Sequence, residues 1–243
     1  MADRPILIEA ATEQERQLWL ATIELVGLLD GIRWVLIGGQ MLTIIEREHG
    51  GGVGRATVDI DALIDIRASL QATRQAARRL AAAGYEAQPT ADGFAYRFVR
   101  GGDIVDVLAP ERVGRRADLT TEAPWVTLET IGGTQALARR RAVAVAFEDV
   151  TVDIPVPTLL GALVIKARAV AGSRDHRDKH ERDVARLLVL VDDPRSLASS
   201  MTRTDRRNLR SLEAMQSVDH PAWRGIPTAV DGAIAVEQLL RGI

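Results

Sequence analysis

The sequence of 243 residues contains no cysteine. Without thiols the chain can form neither a disulfide bond nor a zinc site built on sulfur, and it has no thiolate nucleophile. It also lacks an apolar run long enough to cross a bilayer, and its first residues, Met1 to Pro5, do not have the basic and apolar regions of a signal peptide. We therefore expect a cytoplasmic protein with no membrane partner.

The chain also lacks an excess of charge of either sign. Its 31 basic and 33 acidic residues give a net charge of −2, which is not the balance of a general nucleic-acid binder, although a local basic patch stays open. Hydrophobic residues make up 47% of the chain and charged residues 26%, as in ordinary globular proteins. The length allows a substantial core.

Two carboxylates stand two residues apart in a stretch with strand character. Val58, Ile60 and Leu63 are strand-forming apolar residues, so Asp59 and Asp61 are predicted to share one face of a strand. Their Cα atoms would then lie about 6.5 Å apart, close enough for both side chains to reach one hard cation. The alternative is a strand end that dips into solvent, where aspartate is common.

The flanking segments favour the first interpretation. Residues 34–37 are predicted to form a buried strand that is followed by Gly38 and Gly39 and then by a helix over 40–48. Such a turn lets backbone N–H groups approach a phosphate. Downstream, Asp106 interrupts another apolar strand, and a charge in such a run requires a partner.

The remaining patterns predict an α+β fold. A helix is expected over 67–83, with Leu70, Ala77 and Leu80 inward and an arginine-rich outer face that is either solvated or docks RNA. Two hairpins are predicted, one that leads into the strand of Asp106 and one over 142–154. From Pro155 onward the pattern is helical.

We accordingly expect a mixed β-sheet flanked by helices, followed by a C-terminal helical bundle. The domain prediction is an α/β core over residues 1–155 and a helical domain over 156–243 that completes an active-site cleft.

Several short motifs together resemble a known family. They are the Gly38-Gly39 pair, the pattern Arg55-x-Thr57-x-Asp59-x-Asp61, Asp106, and the later series Lys166, Arg174, Lys179 and Asp183. In this order the residues are similar to those of the polymerase β-like nucleotidyltransferases, and most closely to the AbiEii-type branch, which includes MenT-like toxins. The chain departs from the family pattern at His180, where an aspartate is more usual after the second lysine.

The resemblance implies a nucleotidyltransferase-type fold and a set of site residues. Asp59, Asp61 and Asp106 would bind two Mg²⁺ ions, with Mn²⁺ as an alternative, and Asp106 could also draw the proton from the nucleophile. Nucleotide contacts would come from residues of the other motifs, namely Gly38, Gly39, Gln40, Arg55, Thr57, Lys166 and Arg174. Asp183 would orient Lys166, Lys179 or the acceptor; the alternative is an ordinary carboxylate on a helix face.

The function that the resemblance implies is transfer of a nucleoside monophosphate from an NTP to an acceptor hydroxyl. A tRNA 3′ end is the acceptor expected from MenT-like relatives, with the protein acting as a toxin that has an antitoxin partner. Two alternatives remain. One is a non-catalytic NTP-binding or partner-binding protein on the same fold, and the other is a nucleotidyltransferase that modifies a protein or small molecule.

Overall fold

The computed structural model of the protein describes residues 4–51, 57–114, 116–172 and 176–241. The strands are β1 (Ile6–Leu7), β2 (Trp34–Ile37), β3 (Ile60–Ile64), β4 (Glu86–Gln88), β5 (Arg97–Arg100), β6 (Asp103–Pro110), β7 (Thr120–Glu122), β8 (Trp125–Val126), β9 (Glu129–Thr130), β10 (Arg140–Phe147) and β11 (Val150–Pro157). The helices are α1 (Glu13–Leu28), α2 (Gly38–Glu48), α3 (Ala72–Ala82), α4 (Gly133–Ala138), α5 (Leu159–Gly172), α6 (Arg177–Leu188), α7 (Pro194–Ser199), α8 (Arg203–Leu209) and α9 (Ala229–Arg241). The predicted α+β fold, with helices flanking mixed sheets and further helices toward the C-terminus, is confirmed.

The central sheet places the acidic strands side by side. Its strand order is β2-β3-β6-β5-β4, and β9 pairs in parallel with the end of β6. The strands β3 and β6 run parallel with Asp61 opposite Asp106, whereas β5 runs antiparallel to β6 with Arg97 opposite the same aspartate. Since residues in register on adjacent strands share a face, the three side chains lie on one side of the sheet.

The first residues of one helix and of one strand differ from the sequence prediction. The helix α2 begins at Gly38 and not at Gln40, so both glycines belong to its first turn. Ile37, the last residue of β2, pairs with Asp61, and the chain then turns directly into α2. Strand β2 therefore offers no pairing partner to the residues that precede Asp61 in the chain. The strand β3 therefore begins at Ile60, Asp59 lies just before it, and Val58 is 53% exposed.

The predicted helix over 67–83 was too long at its start. The helix α3 begins at Ala72, and Leu70 is 51% exposed, so its predicted inward position was wrong. The preceding residues are held by other contacts, since the backbone N–H of Arg67 donates to the Asp65 carboxylate and the carbonyl of Leu70 accepts from Asp118. Ala77 and Leu80 are buried as predicted.

A smaller sheet and a helical layer complete the structure. The sheet β1-β10-β11 contains the predicted second hairpin, whose turn residue Glu148 has a positive φ of 50°. The helices α5 to α9 follow, with a 3₁₀ helix over Arg210–Gln216 between α8 and α9. Among the described residues, no helix is long and apolar enough to cross a membrane.

The helical layer shares one hydrophobic core with the sheets and is joined to them by ion pairs. The buried Glu46 on α2 binds Arg186 on α6, with both oxygen–nitrogen distances at 2.5 Å, and Arg139 binds the fully buried Asp205. Burial raises the pKa of Glu46, an effect that Arg186 opposes. The division into domains at residue 155 stays a prediction.

Gly232 gives a test of how tightly the C-terminal helices are packed. A Cβ atom at this position of α9 would lie 2.5 Å from the ring of the buried Trp223, so we expect Gly232→Ala to lower the free energy of unfolding by about 1–3 kcal/mol through overpacking. Gly27 of α1 has open space around its Cα, and Gly27→Ala is expected to be neutral or stabilising by up to about 1 kcal/mol. Urea unfolding measures the free energy of unfolding of both variants. Equal values for Gly232→Ala and Gly27→Ala would contradict the prediction.

Candidate active site

Three carboxylates meet at one end of the central sheet. Asp61 and Asp106 are neighbours in register on β3 and β6, and Arg97 contacts both Asp106, at 2.7 Å, and Asp59, at 3.4 Å, through Nη2. Asp106 therefore lies on the same side of the sheet as the Asp-x-Asp pair, as the sequence predicted. An arrangement with Asp106 on the opposite face would have separated these groups.

The grouping disturbs the protonation of the carboxyl groups. Burial, together with the charges of Asp59 and Asp106, raises the pKa of Asp61 to about 7. Burial also raises the pKa of Asp106, although its bonds to Arg97 act in the opposite direction. A bound cation would stabilise carboxylates that are held together in this way. It would neutralise their negative charge, which otherwise requires one of them to take up a proton.

The first turn of α2 is fitted closely against the acidic residues. A Cβ atom at Gly38 would lie 1.8 Å from Asp61 Oδ2, and Gly38 has a φ of +77°, which only glycine adopts without strain. A Cβ atom at Gly39 would lie 2.7 Å from Cβ of Thr57, whose hydroxyl donates to Asp59 at 3.0 Å. Both glycines are thus required by close packing beside the carboxylates.

The same helix turn carries backbone donors. Its N-cap residue, Ile37, makes no side-chain capping bond, and the first N–H groups of a helix have no acceptor within the helix itself. The helix dipole adds a partial positive charge at the same place. Together these features favour an anion, and a phosphate group fits that requirement.

A buried ion pair from the helical layer faces the carboxylates. Lys166 on α5 donates from Nζ to Asp183 Oδ2 on α6 at 2.7 Å, and both residues are buried. The sequence offered Lys166, Lys179 or the acceptor as what Asp183 would orient, and the structure shows a direct contact with Lys166. Asp183 is not an exposed carboxylate on a helix face, because its exposure is 0%.

His180 occupies the position where the chain departs from the family pattern. It lines the same cleft as Lys166 and Lys179, and burial together with the Lys166 charge lowers its pKa to about 4. The imidazole is accordingly neutral near pH 7, and within the described ranges its buried Nδ1 has no hydrogen-bond partner.

Several of these groups line a cleft of about 530 Å³, namely Gly38, Gly39, Asp59, Asp61, Lys166, Lys179 and His180. The lining also includes the apolar side chains of Ile37, Leu108, Leu128, Ile131, Ile165 and Ala169, together with Glu129, Thr130, Arg168 and Gly172. Ile131 is 49% exposed, so an apolar surface is available to a ligand there.

Some predicted site residues lie elsewhere. Gln40 is 2% exposed, and its side-chain amide exchanges hydrogen bonds with Thr22 inside the protein, so its predicted role in nucleotide binding is corrected to a packing role. Thr57 contributes to the cleft indirectly, because its hydroxyl donates a hydrogen bond to Asp59. Arg55 and Arg174 fall outside the described residues.

The sequence analysis missed Arg97. The signal was nonetheless present, because the tight turn at Gly101 and Gly102 sets Arg100 opposite Asp103, and the same register places Arg97 opposite Asp106. Counting the residue pairs back from the hairpin turn would have identified it.

The donor set fits a hard divalent cation, which the fold class implies. Asp59 and Asp61 supply carboxylate oxygens of the kind that Mg²⁺ prefers, and they stand beside the turn suited to a phosphate. Within the described ranges, however, no three His, Asp or Glu side chains are grouped closely enough to hold a metal ion without rearrangement. Arg97 holds both oxygens of Asp106, which accounts for the missing third ligand.

The structure thus has a helix that begins with two glycines, a pair of aspartates at the start of the next strand and a third aspartate on a parallel neighbour, which are the features by which the chain resembles the nucleotidyltransferases. The model of one protein family, described as nucleotidyl transferase AbiEii toxin of type IV toxin–antitoxin systems, matches residues 24–223. The chain therefore belongs to this family, which implies a nucleotide substrate and an antitoxin partner. Searches of curated proteins and of solved structures found no match.

The ion pair of Lys166 and Asp183 yields a prediction for both stability and activity. Asp183→Asn removes the charge that compensates a buried lysine, so we expect a loss of about 3 kcal/mol in the free energy of unfolding and weaker nucleotide binding. Asp178→Asn on the same helix is the matched control, because Asp178 is exposed and its change should leave both quantities unaltered. Chemical unfolding and calorimetric titration with NTP measure them, and identical behaviour of the two variants would contradict the assigned contact.

Proposed function

We propose that the protein transfers a nucleoside monophosphate from an NTP to an acceptor hydroxyl in a Mg²⁺-dependent reaction. The observation that supports this most directly is the placement of Asp59, Asp61 and Asp106 on one side of the sheet, next to the glycine-led start of α2. Bound Mg²⁺ would supply charge neutralisation for the attacking and leaving oxygens. The carboxylates of Asp59 and Asp61 would hold it, with Asp106 as a further ligand.

The reaction joins the acceptor oxygen to the α-phosphorus while the bond to the β-phosphate oxygen breaks and pyrophosphate leaves. In the proposed arrangement the backbone N–H groups of Gly38 and Gly39 face the triphosphate, and Lys166, held by Asp183, adds a fixed positive charge. Asp106 is the candidate to take the proton of the acceptor hydroxyl, since burial raises its pKa above that of an exposed aspartate.

The apolar side chains in the cleft lining suit the base of the nucleotide. They come from β6, the segment around β9 and helix α5, and they include the half-exposed Ile131. A planar base would cover these apolar surfaces while its triphosphate reached the start of α2. The cleft volume of about 530 Å³ is within the range that accommodates a small ligand.

For the acceptor we propose RNA, with the 3′ end of tRNA as in MenT-like toxins, which requires action in the cytoplasm. The support is the resemblance of motifs and the toxin family itself. The arginines of α3 contribute little support, because Arg74 pairs with Asp118 and Arg79 donates to the carbonyls of Leu28 and Asp30. Protein and small-molecule acceptors, and a non-catalytic protein, are distinguished by the experiment that follows.

Incubation of the purified protein with each labelled NTP, Mg²⁺ and whole-cell RNA or whole-cell protein tests the proposal. We expect transfer of label to RNA near tRNA size, abolished by EDTA and reduced by about two orders of magnitude or more in Asp61→Asn, because a metal ligand is removed. Asp103→Asn on β6 is the matched control, since Asp103 pairs with Arg100 at the far end of the strand and should retain activity.

The other outcomes of this experiment are informative. Label in protein or in a small molecule would overturn the RNA acceptor while retaining nucleotidyl transfer. Calorimetric binding of NTP with Mg²⁺ but no pyrophosphate release over all acceptors would favour a non-catalytic binding protein. Equal labelling by the wild type and Asp61→Asn would remove the case for this metal site.

A further inference from the structure

Arg97 is a positive charge held inside the acidic cluster. Its Nε donates to Asp106 Oδ1 at 2.8 Å and its Nη2 donates to Asp106 Oδ2 at 2.7 Å, so the guanidinium binds both oxygens of one carboxylate. The same Nη2 lies 3.4 Å from Asp59 Oδ2. Planar two-point pairing of this kind is among the strongest contacts between charged side chains.

The position of Arg97 is built into the sheet. It is the register partner of Asp106 on the adjacent antiparallel strand, so the pairing follows from the backbone and does not depend on a loop. The Asp106 side chain is 7% exposed, whereas that of Arg97 is 38% exposed. The arginine therefore covers the carboxylate from the solvent side and can withdraw toward solvent without unfolding the strand.

A divalent cation at the carboxylates must compete with this arginine. The oxygens of Asp106 cannot be shared fully between a guanidinium and a metal ion, and the positive charges repel each other across a short distance. Lys166 and Lys179 line the same cleft as Asp61. The cluster thus has cationic side chains of the protein beside it before any metal ion binds.

We propose that Arg97 is a positioning residue that acts as an internal counter-ion. It keeps Asp59 and Asp106 together without a metal ion and lowers the affinity of the site for free divalent cations, so that the metal ion enters together with the nucleotide. The triphosphate supplies the negative charge that makes binding of the cation favourable while the arginine is present. This inference rests on the metal site of the proposed function.

Titration of the purified protein with Mn²⁺, followed by the spin-resonance signal of the free ion, tests the inference without using activity. Mn²⁺ accepts the same carboxylate ligands as Mg²⁺. In the absence of nucleotide we expect Arg97→Gln to bind Mn²⁺ about tenfold more tightly than the wild type, because one positive charge beside the site is lost. Its melting temperature should fall without metal, and saturating Mn²⁺ should raise it by more than in the wild type.

Two further variants separate this role from general destabilisation. Arg100→Gln removes another arginine of β5, one that binds Glu24 and stacks on Tyr85, and should lower stability without changing Mn²⁺ affinity. Arg97→Lys keeps the charge but loses the two-point pairing, so its Mn²⁺ affinity should lie between those of the wild type and Arg97→Gln. If Arg97→Gln does not fold, the Mn²⁺ affinity of Arg97→Lys is compared with that of the wild type instead.

The results that would overturn the inference are specific. Mn²⁺ affinity that is equal in the wild type and in the Arg97 variants, or weaker in the variants, would overturn the counter-ion role while leaving the metal site in place. An increase in affinity shared by Arg100→Gln would overturn it as well. No saturable Mn²⁺ binding by any of the proteins, with or without NTP, would overturn the metal site of the proposed function and the inference with it.

Discussion

The repulsion between three neighbouring carboxylates is the constraint on which the rest of the cleft depends. Strand register brings Asp61 beside Asp106, and Asp59 lies just before the same strand. Burial, together with the charges of the other two carboxylates, raises the pKa of Asp61. Arg97 binds Asp106 and lies 3.4 Å from Asp59, and Lys166 lines the cleft together with Asp61. A fold that brings like charges together at a cost is typical of a site whose ligand supplies the missing opposite charge.

The tight contact between Gly38 and Asp61 shows how backbone and charge are coupled at this site. A larger residue at position 38 would need the space that Asp61 Oδ2 fills, so the helix start and the carboxylate are fixed relative to each other. Donors suited to a phosphate and oxygens suited to its metal ion are consequently held at a set spacing. Such pre-organisation is the main contribution that a protein makes to phosphoryl transfer.

Much of this arrangement could be predicted from local patterns. The glycines after a buried strand and the apolar strand of Asp106 each depend on neighbouring residues, and the structure places them as expected. The alternation around Asp61 is confirmed only from Ile60 onward, because the strand begins after Asp59. Predictions that depended on distant partners were less successful. Leu70 fits a helical pattern but is exposed, because contacts to Asp65 and Asp118 delay the helix, and Gln40 is turned inward by Thr22. The role of Arg97 required the register of a hairpin to be counted.

The buried pair of Glu46 and Arg186 has a consequence for how a large acceptor could reach the cleft. The helix α2 faces the cleft at its start, and α6 does so through Lys179 and His180, while this pair joins the two helices further along. Parting these helices would break this ion pair and expose apolar side chains that both helices contribute to the shared core, so a hinge between them is unfavourable. Widening of the entrance for a macromolecule is therefore expected where the segment from Leu128 to Ile131 lines the cleft, since Ile131 is 49% exposed.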